Sequence, residues 1–179
     1  MTAVPLVGRA ASEASASRPS PTDVARTVTD PELPMLTLAD LGVLRSVEER
    51  DGSVEVAITP TYSGCPAMAT MRDDLVHRLR DAGYADVRIR VELTPAWSSD
   101  WISDAGRRKL AEHGISPPGD ASRREGPIAL NLLPTRREIG CPRCGDPGVE
   151  LTSEFGATAC KALYRCTVCQ EPFEHVKEI

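Results

Sequence analysis

The first hydrophobic pattern in the chain is helical. Val24 and Val28 lie four residues apart and so share one face of a helix, and Thr22 is placed to cap that helix. The helix must end before Pro31, because the residue that precedes a proline disfavours helical geometry. Residues 1–21 are rich in Ala, Ser and Pro, and we expect them to form a disordered leader.

Alternating apolar and polar positions come next and predict two strands. The alternation covers residues 43–48 and returns over residues 54–58. Asp51 and Gly52 lie between the two segments and form a hairpin-turn sequence, since glycine tolerates the positive φ that such turns require. We therefore expect the two strands to pair antiparallel.

A longer amphipathic pattern follows the hairpin. Pro66 suits the first turn of a helix, and apolar residues recur after it at spacings of three and four. Residues 87–93 alternate again and predict a third strand, reached through a crossover, while residues 104–113 predict a further helix. These elements predict an α+β protein whose main part is a small three-stranded α/β domain over residues 22–118.

Composition and charge narrow the functional classes. The 179 residues are 41% hydrophobic and 26% charged, as in a folded chain, and suffice for one main domain and a small one. The net charge of −5 argues against a protein that coats nucleic acid or an anionic membrane. No apolar run reaches the roughly 18 residues of a membrane span, and the start of the chain has no continuous apolar export segment. We expect a cytoplasmic protein with no membrane partner.

The strongest chemical signal is a cysteine-rich tail over residues 135–179. It contains two Cys-x-x-Cys units, each able to direct both sulfurs at one ion: Cys141 with Cys144, and Cys166 with Cys169. A four-thiolate site of this kind is typical of a zinc ribbon, and metal binding can replace the core that so short a segment lacks. We expect structural zinc; an iron–sulfur cluster and a redox dithiol or disulfide are the alternatives.

Two further residues of the tail fall outside a four-ligand site. Cys160 lies between the two units and is a spare cysteine, because a tetrahedral site takes only four ligands. It is either a small buried thiol of the ribbon or an additional metal or cluster ligand. His175 follows the completed second unit, and we expect it to be exposed rather than a ligand.

The segment before the tail and the charge of the tail both bear on partners. Residues 119–134 are assigned as a linker, in which the apolar residues 128–133 can dock as an edge strand. The tail has six basic against seven acidic residues, whereas a nucleic-acid reader needs a basic face. The tail is therefore expected to dock a protein, and nucleic-acid binding is disfavoured.

Cys65 is isolated from the tail cysteines. It lies where the second strand turns into the amphipathic helix, near the positive helix end that favours a metal-binding thiolate; simple packing in a tight turn is the alternative. Asp30 and Glu32 are either turn and cap residues or carboxylates that help hold iron beside a thiolate. Cysteine catalysis needs a base, and nothing in the sequence pairs a histidine with Cys65.

Short motifs in the first half of the chain resemble the small α/β domain of the SufT-type and cytosolic iron–sulfur targeting factors. The motifs are DPE at residues 30–32, DLGV at 40–43, TPT at 59–61 and CP at 65–66. This resemblance covers roughly residues 22–95 and implies an iron–sulfur-assembly type of domain.

A fuller set of motifs is narrower. The set consists of YSGCPAM at residues 62–68, PAW at 95–97, DWI at 100–102, GISPP at 114–118, FGATACKALYRC at 155–166 and EPF at 171–173. It is similar to the PaaD family, the D subunits associated with the multicomponent phenylacetyl-CoA epoxidase of aerobic phenylacetate breakdown. The similarity covers nearly everything after residue 22.

The resemblance implies an accessory, non-catalytic subunit that helps to mature the iron–sulfur cluster of the reductase of that system. It implies as partners the other epoxidase components, above all that reductase, and the iron–sulfur assembly machinery. By position, Cys65 matches the isolated cysteine of the family, Asp30 and Glu32 match its acidic loop, and Cys160 also matches. Transient iron or a cluster is the implied cargo. The residues agree, because the chain has no nucleotide fingerprint and no Glu-x-x-His pair of a di-iron site.

Three functions fit these features to different degrees. The first is an iron–sulfur or metal delivery factor in which Cys65 positions the metal and the ribbon docks the client. The second is a structural or regulatory docking subunit of the epoxidase with no metal-transfer role. The third, a ribbon that binds nucleic acid, is disfavoured by the charge.

Overall fold

The computed structural model describes residues 18–62, 64–119 and 139–179. Its elements in chain order are α1 (Pro21–Arg26), β1 (Leu44–Arg50), β2 (Ser53–Ile58), α2 (Ala67–Asp81), β3 (Asp86–Val91), a 3-10 helix (Ser99–Trp101), α3 (Asp104–Glu112), β4 (Val149–Ser153), β5 (Lys161–Cys166) and β6 (Pro172–Val176). The predicted α+β class is confirmed. Residues 1–17 of the expected leader and all but Gly119 of the expected linker lie outside the described residues.

The first sheet has the order β1-β2-β3. β1 and β2 pair antiparallel, as the hairpin sequence predicts, and Asp51 and Gly52 of the turn have φ angles of 51° and 81°. β2 and β3 pair parallel, so α2 forms the crossover between them. Met71, Leu75 and Leu79 are buried on α2, at helical spacing, in the main core. None of the described helices is long and apolar enough to cross a membrane.

The first helix starts earlier than the valine spacing predicts. α1 begins at Pro21, and the side chain of Ser20 accepts a hydrogen bond from the Asp23 backbone N–H; the expected cap at Thr22 is wrong. The Tyr84 hydroxyl donates to the Pro19 carbonyl at 2.8 Å. Residues 18–21, which the composition assigned to the leader, therefore contact the fold. Because the segment before residue 22 is rich in Ala, Ser and Pro, its composition does not distinguish Ser20 as a helix cap or Pro21 as a first-turn proline.

The tail forms a second sheet with the order β4-β5-β6. β4 and β5 pair antiparallel with Leu151 opposite Tyr164, which is the hairpin expected of a ribbon. β6 pairs antiparallel with β5 and was not predicted from the sequence. The alternation of buried and exposed residues in β6 covers only the five residues that begin at Pro172. So short a pattern becomes recognisable as a strand only when β6 is paired with β5.

The second sheet packs directly against the first module. The backbone N–H of Ser116 donates to the Glu174 carbonyl at 2.8 Å, and the Val176 N–H donates back to the Ser116 carbonyl at 3.0 Å. Val176 is 4% exposed and belongs to the main hydrophobic core. The expectation that His175 is exposed is wrong, because this contact buries it to 1% exposure with Nδ1 3.2 Å from the Ser116 hydroxyl.

Candidate metal centre and thiol cavity

Both Cys-x-x-Cys units adopt the same local turn. After the first unit, the Gly145 N–H donates to the Cys141 carbonyl at 2.8 Å, and after the second the Gln170 N–H donates to the Cys166 carbonyl at 3.1 Å. Gly145 and Gln170 both have positive φ, 75° and 63°. This turn folds each unit back on itself, so that both of its sulfurs lie on the same side.

The four sulfurs meet at one point between the two turns. The Sγ atoms of Cys141 and Cys169 lie 3.7 Å apart and those of Cys144 and Cys166 lie 3.6 Å apart, and all four lie within 4.8 Å of one another. These are non-bonded distances, and all six cysteines of the chain are free thiols. Four sulfurs around a zinc ion with Zn–S bonds of about 2.3 Å stand roughly 3.8 Å apart, so this donor set fits zinc.

The cluster favours deprotonation of one of its thiols. The Cys169 N–H donates to the Cys166 sulfur at 3.4 Å and, with the neighbouring thiols, lowers the pKa of Cys166 to about 7. The Asp146 N–H lowers the pKa of Cys144, but burial and hydrogen bonds with the other three thiols raise it to about 12. A cation among the sulfurs would favour the thiolate form of all four.

A separate cavity is lined by the isolated cysteine, Cys65, and by the acidic-loop residues Asp30 and Glu32. Cys160 of the ribbon also lines this cavity, which we call the thiol cavity. The volume of the cavity that the centre of a water molecule can occupy is about 40 Å³. Most of the cavity wall is apolar. That space has room for roughly three water molecules. The cavity lies between the two modules, since Val176 of β6 is also in its wall.

Cys65 lies just before the N-terminus of α2, as expected, but its thiol is not activated there. Burial raises the pKa of Cys65, and the charges of Asp30 and Cys160 add to the rise. The backbone N–H groups of Ala67 and Met68 oppose that rise only in part. The expected thiolate is therefore wrong for the metal-free protein, because burial outweighs the helix end.

Asp30 is a buried carboxylate at the wall of the cavity, with 5% of its surface exposed. Its Oδ1 accepts hydrogen bonds from the backbone N–H groups of Glu32 and Leu33, both at 2.8 Å. Burial raises the pKa of Asp30, and these two hydrogen bonds only partly offset the rise. The Glu32 side chain is exposed at the mouth. Asp30 thus makes the turn expected of it, and it also lines the cavity.

Cys160 is half-buried and lies apart from the four-sulfur cluster. The Thr158 hydroxyl is 3.1 Å from its sulfur, and the Lys177 N–H donates to its carbonyl at 2.9 Å. Nothing in the sequence pairs Cys160 with Cys65, since the two residues belong to different modules. Only the packing of β6 against the first module reveals that they share a cavity.

The histidines do not complete a cysteine–histidine pair in the part of the chain that the structure describes. His77 lies on the exposed face of α2, 3.3 Å from Asp81, and the His113 ring contacts the Lys109 carbonyl. His175 lies at the module contact, and none of the three lines the cavity. In the described residues, therefore, no histidine stands beside Cys65 to act as the base of a cysteine nucleophile.

Two family models match the chain. Residues 127–177 match the PaaD zinc beta ribbon domain, and residues 23–91 match the iron–sulfur cluster assembly protein family. The matches divide the chain as the two sheets do. They agree with a metal-binding cysteine cluster in the ribbon and an assembly-type domain before it.

A curated relative and a solved structure each match about half of the chain. The chain is 33% identical over 87 residues to the Fe-S protein maturation auxiliary factor of Porphyromonas gingivalis W83, covering 48% of this chain and 82% of the relative. A crystal structure of a DUF59 domain from Bacillus anthracis superposes with a TM-score of 0.47 and 22% identity, over 50% of this chain and 87% of the other.

A longer match covers both modules together. The chain is 42% identical over 150 residues to the putative D subunit of the 1,2-phenylacetyl-CoA epoxidase of Escherichia coli K12, covering 84% of this chain and 86% of the relative. The ribbon match over residues 127–177 and this 42% identity cover the same motifs that resemble the PaaD family in the sequence, in both modules. The chain belongs to the family of phenylacetyl-CoA epoxidase D subunits, the PaaD family.

Proposed function

We propose that this protein is a non-catalytic accessory subunit of a phenylacetyl-CoA epoxidase system that acts in the cytoplasm and assists maturation of the iron–sulfur cluster of the reductase component. Cys65 receives or positions the metal or cluster, with Asp30 and Glu32 beside it. The ribbon holds structural zinc and docks the client. Other epoxidase components and the iron–sulfur assembly machinery are the partners.

The observation that supports this function is the cavity that joins Cys65 to Asp30. A thiol and a carboxylate at one protected wall are ligands that iron accepts, whereas an exposed lone cysteine would be open to oxidation. The raised pKa of Cys65 keeps the thiol protonated until a metal arrives. The names of two relatives, an epoxidase D subunit and a maturation auxiliary factor, agree with an accessory role in cluster maturation.

The ribbon supports the docking role. It has three exposed apolar side chains that a protein partner can cover: Leu151 at 47%, Phe155 at 66% and Val168 at 64% exposure. Its described salt bridges are between its own residues, such as Lys161 with Glu174 at 2.7 Å, so charge is already balanced within it. This surface suits a protein better than nucleic acid.

The test is the iron–sulfur content of the reductase produced together with this protein. Cys65→Ser keeps the size of the side chain and removes the soft ligand, so we expect a several-fold loss of cluster from the reductase while this protein keeps its circular dichroism spectrum. The matched control is Ala69→Ser, which introduces the same hydroxyl at an exposed position in the first turn of α2, the helix that follows Cys65.

Two outcomes would overturn the proposal. Full cluster occupancy with Cys65→Ser would remove the metal-delivery role. If the variant also copurifies normally with the oxygenase, the protein is a structural docking subunit instead. Equal loss with Ala69→Ser would assign the effect to folding of the helix rather than to the thiol.

A further inference from the structure

We infer that the ribbon is a hinged lid on the thiol cavity: it covers Cys65 in this structure and swings about β6 to expose the thiol to the client. This inference rests on the proposed function and deepens it, because it assigns the ribbon control of access to Cys65. It requires no metal site beyond the four-sulfur cluster.

The first argument is that the ribbon forms one side of the cavity wall. Thr158, Cys160 and Val176 of the ribbon line the cavity. The first module contributes the other side, which includes Cys65 and Trp97. Cys65 is half-buried there, and Trp97 is only 5% exposed. Movement of the ribbon away from the first module would therefore open the cavity to solvent.

The second argument is that the loop between β4 and β5, residues 154–160, is fastened to the ribbon. The Lys177 N–H donates to the Cys160 carbonyl at 2.9 Å, and Lys177 Nζ donates to the Ala159 carbonyl at 3.0 Å. Among the described residues, no hydrogen bond of this loop ends on the first module. The loop that lines the cavity therefore moves with the ribbon.

The third argument is that one segment attaches the ribbon to the first module. The parallel bridge between Ser116 and His175 is closed by two backbone hydrogen bonds, and the Ser99 N–H donates to the Ile179 carbonyl at 3.1 Å. The hydrogen bonds that the structure describes between the modules all involve residues 174–179, in β6 and just after it. Rotation about this segment opens the cavity and keeps these bonds, which is the geometry of a hinge.

The fourth argument concerns what keeps the lid in shape. The hydrophobic cluster of the ribbon is small, and its buried members are Ile139, Cys141, Ala162, Tyr164, Cys166 and Phe173. Two of these residues are cysteines of the four-sulfur cluster, so the ribbon core depends on a bound metal ion. Loss of that ion is therefore expected to loosen the lid and to leave the larger core of the first module in place.

The closed lid also keeps the thiol unreactive. Burial raises the pKa of Cys65, and the charges of Asp30 and Cys160 raise it further. The thiolate is the reactive form, so a thiol released from this burial reacts faster. Phe155 of the loop is 66% exposed and does not line the cavity, so a client bound at Phe155 contacts the lid from outside.

The test measures how fast iodoacetamide alkylates Cys65 in the full chain, with the modified peptide quantified by mass spectrometry. In the zinc-filled protein we expect Cys65 to react at least tenfold more slowly than in protein unfolded in urea. Removal of zinc with a chelator is expected to raise the rate several-fold. Amide hydrogen exchange in β2 is expected to stay slow, which would show that the first module remains folded.

A matched pair of variants separates the lid from general loosening of the ribbon. Thr158→Ala removes part of a side chain that lines the cavity, so we expect a several-fold faster alkylation of Cys65 at full zinc content. Thr152→Ala removes the same atoms at an exposed position of β4 and is expected to leave the rate unchanged.

Two results would overturn the inference. One is alkylation of Cys65 in the zinc-filled protein as fast as in urea, and the other is an unchanged rate after zinc removal although amide exchange in β5 has become fast. Failure of the proposed function is distinguishable from both: alkylation would depend on zinc as expected while the reductase kept a full cluster with Cys65→Ser. Conversely, loss of that cluster with alkylation independent of zinc would keep the proposed function and reject the lid.

Discussion

The two cysteine sites of this protein are constructed in opposite ways. The four-sulfur cluster of the ribbon comes from two turns of the same design, each closed by one backbone hydrogen bond. The thiol cavity has no repeated unit, since Cys65, Asp30 and Cys160 come from three separate segments. A locally built site tolerates changes elsewhere in the fold, whereas a site between modules depends on how they pack.

Removal of one ribbon ligand is expected to have the largest effect. Cys166→Ser replaces a buried sulfur of the cluster, and metal binding in such ribbons contributes on the order of 10–16 kcal/mol to folding. We expect near-complete loss of bound zinc and rapid amide hydrogen exchange across β4, β5 and β6. Cys160→Ser is the matched control and is expected to retain zinc. Full zinc content in Cys166→Ser would contradict the assignment of the cluster.

The next largest effect is expected at the contact between the modules. Val176→Asp places a carboxylate in the main core, where burial without a partner costs several kcal/mol unless the modules separate. We expect zinc content to stay the same while the free energy of unfolding of the first module, measured in urea, falls by about 2–4 kcal/mol. Val168→Asp makes the same change at a 64% exposed position and is expected to affect neither. Loss of zinc together with the lower free energy of unfolding would show that the zinc site depends on the contact between the modules.

A smaller effect is expected at Gly42, where the backbone of the first module comes close to Trp101. Gly42 has φ of 69°, and a Cβ at this position would lie 2.6 Å from the Cβ of Trp101. Gly42→Ala is expected to lower the free energy of unfolding by about 2–3 kcal/mol, measured in urea. Gly52 has φ of 81° with open space around it, so Gly52→Ala is expected to cost only about 1 kcal/mol. Equal costs would mean that the close approach to Trp101 is relaxed.

The smallest effect concerns an ion pair of the first module. Lys109 Nζ lies 2.7 Å from Asp40 Oδ2. Partial burial raises the pKa of Asp40, but this bond and those from Thr37 lower it below its usual value. A lowered pKa stabilises the fold above about pH 4, and that stability is lost as the pH falls through the folded value. Asp40→Asn is expected to cost about 1–2 kcal/mol at pH 7.

The measurement for this pair is urea unfolding as a function of pH. The difference between the natural protein and Asp40→Asn is expected to stay constant from pH 7 to about pH 5 and to shrink in stronger acid. A difference that grows towards acid would contradict the lowered pKa. Zinc content at pH 7 is expected to be unchanged, since the ion pair lies outside the ribbon.

The sequence predicted most of what depends on short spacing. The hairpin at Asp51 and Gly52, the helix after Pro66 and the ribbon hairpin all appear in the structure, because each is specified by neighbours within a few residues. The strand β6 was missed, since its burial becomes visible only against β5. The start of α1 was misplaced because the capping serine was hidden in a segment that reads as a leader.

The candidate sites divide in the same way. The two Cys-x-x-Cys units determined by themselves which four sulfurs would meet, because their turns are local and a metal ion needs them on one side. Only the tertiary structure decided that Cys160 lines the same cavity as Cys65, that His175 is buried, and that burial outweighs the helix end in the pKa of Cys65. Burial and long-range charge depend on what packs from distant segments, and spacing along a chain does not encode that packing.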